Sequence, residues 1–314
     1  MKLILDLDTG IDDALALAYA LALPQVELIG VGGCFGNVTR DRSVQNNLDL
    51  LALFGAPEVP VCPGADHPWG ADGYRPGDFK YRVHGENGIG NVLLPAAGGR
   101  ACETPAARFL VEAARRWGGE LAVVATGPLT DLADAIRLDR AAMASVGAIS
   151  VMGGALTVPG NRTPFAEANI CDDPAAAKYV FESGLPVTMV GLDVTLQTKI
   201  VGADLARWRQ VESPAAAALV GMSEYYYTNE SETGEIGGAI HDPLALEAAL
   251  CPGAFSVLPI NLTVETEGPG RGRTIGDPAL LGRPEKTTRV CVGVGAAAFV
   301  AKFCGAIADW LGRD

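Results

Sequence analysis

The feature that most constrains the fold is an alternation of short apolar runs with helix-forming stretches along the first half of the chain. In the first unit, Lys2–Asp8 is an apolar run ending in acid, and Ile11–Leu23 follows as an Ala- and Leu-rich helix closed by Pro24. The further predicted strands here are Val26–Gly33, Val59–Cys62, Leu121–Thr126 and Ala148–Gly153. The other predicted helices are Arg40–Phe54, Thr104–Trp117 and Leu129–Arg137. Such alternation implies parallel strands with helices on both faces.

The second half continues this pattern and then changes. It contains a predicted strand, Val187–Asp193, and predicted helices at Ser213–Thr228 and His241–Leu250. The stretch Val257–Val294 looks β-rich and more antiparallel, and a closing helix follows at Ala296–Trp310. No linker or repeat divides the 314 residues, of which 49% are hydrophobic. The sequence therefore predicts one α/β domain, residues 1–314, with an open, mostly parallel, Rossmann-like sheet flanked by helices and a smaller antiparallel β portion near the C-terminus.

Two long stretches, Gly64–Ala97 and Gly154–Asp172, resist assignment to regular structure. The first is rich in Gly, Pro and aromatic residues. Because loops this long inside a compact domain are more often functional than idle, we expect both stretches to contribute to a site.

The charge of the chain limits its partners. The formal net charge is −13 and no basic cluster interrupts it, which argues against a nucleic-acid polymer and favours a small molecule or a metal ion. The chain reaches Asp6 after a short apolar run, and no later stretch is long enough to span a bilayer, so we expect a cytoplasmic protein without a membrane partner. Seven scattered cysteines without C-x-x-C spacing predict free thiols in a reducing compartment.

Four carboxylates, Asp6, Asp8, Asp12 and Asp13, cluster at the end of the first predicted strand. Asp6 and Asp8 share a face of that strand, and ligands bind open α/β sheets at this carboxyl edge. A helix cap explains one or two acids at the start of the following helix. Four carboxylates repel one another strongly unless a hard divalent cation holds them, so the cluster favours a metal site.

A phosphatase of the haloacid-dehalogenase type is an alternative, since its D-x-D-x-T/V motif also ends a first strand. Here the fifth position of that motif is Gly10, so the pattern fails by one residue. The pair Asp172-Asp173 with Lys178 imitates the rest of such a site only loosely.

The run from Asp6 to Ala14 resembles the amino-terminal signature D-x-D-x-G-x-D-D-A of the inosine-uridine-preferring nucleoside hydrolase family. Four more segments match in order and spacing: Gly36–Thr39, Ala125–Thr130, Met152–Gly154 with Glu167–Ile170, and His241–Pro243. The resemblance spans nearly the whole chain. It implies hydrolysis of the N-glycosidic bond of ribonucleosides to free base and ribose, with Ca²⁺ as cofactor.

The resemblance also implies roles for individual residues. The expected calcium ligands are the carboxylates of Asp8, Asp13 and Asp242 and the backbone carbonyl of Thr126. The expected catalytic residues are Asp8, as general base on a water molecule, and His241, which assists the departing base. The expected substrate-binding residues are Asp12, Asn37, His84, Met152, Asn161, Glu167 and Asn169. Relatives are usually homodimers or homotetramers, and the implied role is salvage of nucleosides.

Some alternatives stay open on the sequence alone. Asn37 also suits a turn after Gly36, Asp242 an N-cap before Pro243, and His84 an ordinary loop. Tyr225, Tyr226 and Tyr227 cannot all face one pocket from a helix, and the preference for purine or pyrimidine bases is not settled. A catalytically silent nucleoside-binding protein on the same fold is a third class.

Overall fold

The computed structural model describes residues 1–230 and 237–313. The strands in these ranges are β1 (Lys2–Leu7), β2 (Glu27–Gly33), β3 (Val61–Pro63), β4 (Leu121–Ala125), β5 (Ala148–Met152), β6 (Val187–Val190), β7 (Lys199–Val201), β8 (Gly237–Ala239), β9 (Phe255–Ile260), β10 (Leu262–Val264), β11 (Thr274–Gly276) and β12 (Thr288–Val294). Single 3₁₀ turns occupy Gly118–Glu120 and Pro252–Ala254. The helices are α1 (Ile11–Ala22), α2 (Arg40–Leu53), α3 (Asp78–His84), α4 (Ala106–Trp117), α5 (Thr130–Leu138), α6 (Arg140–Ala144), α7 (Ala168–Asp172), α8 (Pro174–Glu182), α9 (Leu192–Thr195), α10 (Ala206–Arg209), α11 (Pro214–Glu230), α12 (Asp242–Leu250) and α13 (Ala296–Leu311).

The central sheet has eight strands in the order β3-β2-β1-β4-β5-β6-β12-β9. All neighbours are parallel except β12 and β9, which pair antiparallel at one edge. Two small antiparallel pairs, β10 with β11 and β7 with β8, lie outside it. The mostly parallel α/β class is thus confirmed. Chain order runs outward in both directions from β1 and β4, so the carboxyl ends of these neighbours form a topological switch point.

Hydrophobic residues pack on both faces of the sheet. Along β1, Leu3, Leu5 and Leu7 belong to one core cluster, whereas Ile4 points into the other. Side chains alternate along a strand, so Asp6 lies on the same side as Ile4, and Asp8 directly follows the last residue of β1. Burial of these apolar residues fixes which way each side chain of β1 points, and the acids come where the strand leaves the core.

Several predicted boundaries need correction. The strands β1, β4 and β5 end one residue before the predicted Asp8, Thr126 and Gly153, because the chain turns there at the sheet edge. The predicted strand Val187–Asp193 is wrong in its second half: β6 ends at Val190, and Gly191 leads directly into α9. The predicted antiparallel C-terminal part is also more mixed, since β12 pairs parallel with β6.

The two stretches without predicted structure are not wholly irregular. Helix α3 lies in the first, and α7 closes the second. Helix α8 was not predicted, although Asp173 caps it through the amide of Ala176 and Pro174 occupies its first turn. None of the helices within residues 1–230 and 237–313 is long and apolar enough to cross a membrane.

Candidate active site

The chain passes closely around Asp8 at the switch point. The backbone N–H of Asn37, just beyond β2, donates to Asp8 Oδ2 at 2.5 Å, and the side-chain amide of Asn37 donates to Oδ1 at 3.2 Å. Gly36 precedes it with φ of +153°, and a Cβ there would lie 2.0 Å from Asp8 Oδ2. Only glycine allows this approach, so the turn after β2 places an amide directly on the buried Asp8 carboxylate.

Three further carboxylates meet beside Asp8. Oxygen atoms of Asp12, Asp13 and Asp242 lie within 4.8 Å of one another, and these residues could hold a metal ion. Asp13 accepts from the backbone N–H of Gly10 at 2.8 Å and from Thr126 Oγ1 at 2.7 Å. Thus Asp13 does cap the start of α1, but that contact leaves the other carboxylates unexplained.

Asp242 is brought into this cluster from far along the chain. It is 1% exposed and is the first residue of α12, where the preceding His241 takes the capping position. Its Oδ2 is buried and accepts no hydrogen bond from the described part of the chain. A buried carboxylate oxygen without a donor is costly unless a cation or a proton satisfies it.

Burial dominates the electrostatics of the cluster. Desolvation raises the pKa of Asp8 well above its usual range, and the neighbouring Asp13 raises it further. Desolvation likewise raises the pKa of Asp13. The pKa of Asp242 is raised well above normal by desolvation and then by the charges of Asp12, Asp13 and Asp8. The three groups therefore hold their charge together only when a positive charge joins them, and hard oxygen ligands of this type suit a divalent cation.

A cavity of about 400 Å³ opens above the cluster. Its lining includes every candidate residue named from the sequence except the fully buried Asp8, Asp13 and Asp242; these lining residues are Asp12, Asn37, His84, Thr126, Met152, Asn161, Glu167, Asn169 and His241. Both long stretches contribute to the wall, through α3 and through residues 161–169. The structure therefore brings the predicted residues to one place, with the acids at its floor.

Asn169 organises one wall. Its side-chain amide donates to the carbonyl of Thr126 at 2.5 Å and to the carbonyl of Met152 at 3.2 Å. Glu167 caps α7 by accepting from the amides of Asn169 and Ile170, and it also accepts from Gly154 N–H at 3.0 Å. These contacts join the ends of β4 and β5 to α7. Asn161 stands at the exposed rim, where its Oδ1 accepts from the amide of Ala168 at 3.0 Å.

Two histidines, both 5% exposed, face the cavity from different elements. His84, at the end of α3, accepts from the backbone N–H of Ile11 through Nδ1 at 3.2 Å and stacks on Tyr226 with ring centroids 5.3 Å apart. Burial and the positive charge of Lys80 lower the pKa of His84 to about 3, so this ring stays neutral near pH 7. His241 Nδ1 lies 2.9 Å from Thr195 Oγ1, which fixes the orientation of its ring.

The cavity also contains residues that sequence reasoning did not single out. Four of these lie on α3, within a stretch expected to be irregular, and one follows Tyr226 on α11; they are Phe79, Lys80, Arg82, Val83 and Asn229. Of the three tyrosines of α11, Tyr226 lines the cavity and Tyr227 is buried in the core. Because α3 spans only seven residues, the spacing of its apolar residues gives too weak a signal to place these side chains at a cavity.

A second acid pair lies behind the cavity. Asp6 and Asp131 are 1% and 3% exposed, and both oxygens of Asp6 lack a hydrogen-bond partner within the described ranges. Burial raises the pKa of Asp131 to about 7, even though the amide of Ala65 stabilises its carboxylate at 2.9 Å. The Asp6 carboxyl has a raised pKa because of burial and of Asp131. The pair therefore keeps a proton that the unfolded chain would release.

This pair predicts a pH effect on stability. Between the usual pKa of 3.8 and the folded value of about 7, folded Asp131 binds a proton that the unfolded chain has lost, so the free energy of unfolding falls as pH rises. We expect Asp131→Asn to flatten the decline of Tm between pH 5 and pH 8, because an amide carries no titrating proton. The measurement is thermal unfolding at a fixed ionic composition, with exposed Asp72→Asn as control. Parallel Tm profiles for Asp131→Asn and wild type would contradict this assignment.

Comparisons with known proteins agree over the full length of the chain. A purine-preferring ribonucleoside hydrolase from Gardnerella vaginalis superposes with a TM-score of 0.97, at 41% identity and with 100% of both chains covered. A plant nucleoside hydrolase, PpNRh1, gives a TM-score of 0.89 at 30% identity, covering 100% of this chain and 99% of that one. Uridine nucleosidase 1 of Arabidopsis thaliana is 38% identical over 89% of this chain and 82% of its own. The pyrimidine-specific ribonucleoside hydrolase RihA of Salmonella agona is 33% identical over 96% of both chains.

Fold, site and relatives together define a hydrolase of the glycosidase type that acts on ribonucleosides. More specifically, the chain belongs to the inosine-uridine-preferring nucleoside hydrolase family, whose model matches residues 3–301. The resemblance drawn from the sequence motifs is thereby confirmed, and the phosphatase alternative is wrong.

Proposed function

We propose that this protein hydrolyses the N-glycosidic bond of ribonucleosides with Asp8 as general base and His241 as the group that assists the departing base. The observation that carries the proposal is the buried acid cluster at the floor of a cavity lined by histidine, amide and methionine groups. In this arrangement Asp8 accepts the proton of the attacking water.

We propose Ca²⁺ as the ion, held by the carboxylates of Asp8, Asp13 and Asp242 and by the carbonyl of Thr126. The donor set is made only of oxygen atoms, and the unsatisfied Oδ2 of Asp242 supports a cation at this place. The Thr126 carbonyl already accepts from Asn169, yet it has a second lone pair. When bound, the ion lowers the pKa of a coordinated water and orients hydroxyl groups.

The ribose is proposed to lie between the two long stretches. Asp12 and Glu167 offer oxygen acceptors to hydroxyl groups, and Asn37, Asn161 and Asn169 offer amides. Met152 contributes its backbone at the end of β5. Loss of the base ahead of bond formation to water leaves positive charge on the sugar, and an acidic floor stabilises that charge without capturing it.

The base is proposed to lie against His241 and the His84–Tyr226 stack. Relatives are named for uridine, for pyrimidines and for purines, so both base classes remain candidate substrates. We also propose a single domain, a cytoplasmic location, a homodimer or homotetramer, and a role in nucleoside salvage. All seven cysteines carry free thiols, which supports a reducing compartment.

His241→Ala should slow the natural nucleosides far more than substrates with good leaving groups. We expect kcat for uridine or inosine to fall about 10²-fold or more, because a positioned proton donor contributes that much to catalysis. A riboside of p-nitrophenol, which departs without a proton, serves as internal control in the same variant. Equal losses for both substrates would show that His241 does not assist the leaving group.

The products decide between the proposed reaction and the silent binding protein. Inosine, uridine, cytidine, adenosine and guanosine are incubated with the protein, and free base and reducing sugar are quantified. Equimolar base and ribose are expected from at least one nucleoside. Tight nucleoside binding without any product would make the protein a binding module.

A further inference from the structure

Lys80 is a cavity-lining lysine to which the proposed chemistry assigns no role. It is 3% exposed on α3, and its Nζ forms an ion pair with Asp172 at the end of α7. Although burial disfavours the ammonium, the charge of Asp172 raises the pKa of Lys80 above its ordinary value. Lysine is rarely buried unless it is paired, and dehydrating both charges is costly. Stability alone therefore does not explain this buried ion pair, and we look for its role in the positions of the groups around it.

The ion pair joins the two long stretches of the chain that form the cavity walls. On α3, Lys80 precedes His84 by four residues, so both side chains lie on one face of the helix. On α7, Asp172 follows Asn169 by three residues. Each half of the pair thus lies one helical turn from a residue that lines the cavity. No covalent or sheet contact connects α3 with α7 in the described part of the chain.

Tyr74 extends the connection to a third wall. Its hydroxyl lies 2.6 Å from the carbonyl of Gly36 and 3.3 Å from Asp172 Oδ2. The Lys80 ammonium lies 5.8 Å from the centre of the same ring. Because Gly36 precedes Asn37, which donates to Asp8, the tyrosine ties this polar cluster to the loop that holds the proposed general base.

Charge gives the pair a second consequence. An unpaired ammonium in this cavity would oppose both a bound cation and the positive charge that develops on the sugar. The ion pair with Asp172 carries no net charge, so it joins the two walls without a net charge, although, beyond the effect of burial, the Lys80 ammonium still lowers the pKa of His84. A hydrophobic contact at the same place would join the walls but would not fix the angle between α3 and α7.

We propose that Lys80 and Asp172, steadied by Tyr74, form a charge-neutral clasp that positions His84 and Asn169 on opposite walls of the cavity. Both are positioning residues, because they act through other side chains. The kinetic part of this inference rests on the proposed function, whereas the structural part does not.

The test is a double-mutant cycle of Lys80→Met, Asp172→Asn and the combined variant, assayed on the best nucleoside. Lys80→Met should raise KM about tenfold with a smaller change in kcat, because the walls loosen while the hydrogen bonds from Asn37 to Asp8 remain. Asp172→Asn should lower kcat about tenfold or more, since it leaves a buried ammonium unpaired. The combined variant should recover kcat relative to Asp172→Asn, giving a non-additive cycle. The exposed pair Arg207–Asp309, changed by Arg207→Met, is the matched control.

Hydrogen exchange of the backbone amides supplies a readout that needs no catalysis. If the clasp exists, changing either Lys80 or Asp172 should speed exchange in both residues 78–84 and residues 168–172. Tyr74→Phe should speed exchange in the same two segments by a smaller amount. This milder variant keeps the test available if the charge variants fold poorly. If wild type releases no ribose, the proposed function fails, and coupled exchange alone decides the clasp. Additive kinetics, or faster exchange confined to the helix that carries the substitution, would overturn it.

Discussion

Asp8→Asn should abolish nucleoside hydrolysis in a protein that remains folded. Asparagine has the shape of aspartate and keeps an oxygen for the backbone N–H of Asn37, which donates to Asp8 Oδ2 at 2.5 Å. It cannot accept a proton from water, and it removes one of the proposed oxygen ligands. We expect kcat to fall about 10³-fold or more, the combined scale of a lost general base and a weakened metal site. Steady-state ribose release measures the loss of activity, and thermal unfolding shows whether the variant remains folded.

Asp6→Asn is the matched control for that experiment. Asp6 lies two residues earlier and is as buried as Asp8, but its acidic neighbour is Asp131, whereas Asp8 is joined to Asp13 by the side-chain amide of Asn37. The same chemical change there should leave kcat within about threefold of wild type, because no reacting group is touched. Full activity in Asp8→Asn would refute Asp8 as the base, and an equal loss in both variants would assign the effect to the strand.

Asp242→Asn should uncouple the stability of the protein from Ca²⁺. In the metal-free wild type, a buried carboxylate with an unsatisfied Oδ2 stands among Asp12, Asp13 and Asp8, so removing its charge should raise Tm. For the wild type, Ca²⁺ at a hundred times its dissociation constant adds about 2.7 kcal/mol, which corresponds to a rise in Tm of about 5 °C. The variant should lose most of that rise.

The measurement is thermal unfolding of both proteins with chelator and with increasing Ca²⁺. Mg²⁺ at the same concentrations is the control for a general effect of divalent ions, because it is smaller and demands octahedral geometry. An equal calcium-dependent rise in Tm for wild type and Asp242→Asn would remove Asp242 from the proposed ligands.

The sequence predicts the parts of the fold that repeat a simple period. Short apolar runs such as Leu3–Leu5, placed between longer helical stretches, predict buried strands, and the parallel sheet follows from their spacing. The short helices α3 and α8 were missed because fewer than three turns carry too little periodicity to stand out among Gly and Pro. The parallel pairing of β12 depends on which strand lies beside it, which local pattern does not encode.

Within the candidate site, too, some residues are predictable from local sequence and others are not. Asp8, Asp12 and Asp13 were found from the residues themselves because the acids are close together in the chain. Asp242 lies 229 positions after Asp13 in the chain. Its place in the acid cluster is expected only from the family resemblance. Lys80 was not selected, and Tyr226 could not be told apart from Tyr225 and Tyr227, since both reach the cavity through contacts of α3 with α7 and α11. Such contacts are tertiary and have no signature in local sequence.

On the proposed mechanism, ribonucleoside hydrolysis requires a cation held by the buried acid cluster. The most direct measurement is ribose release by metal-stripped protein as Ca²⁺ is added back, with bound Ca²⁺ quantified in the same samples. We predict no release without the ion, and a rise that saturates when one Ca²⁺ is bound per chain. Undiminished ribose release from protein shown to contain no divalent metal would show that hydrolysis does not require a bound cation.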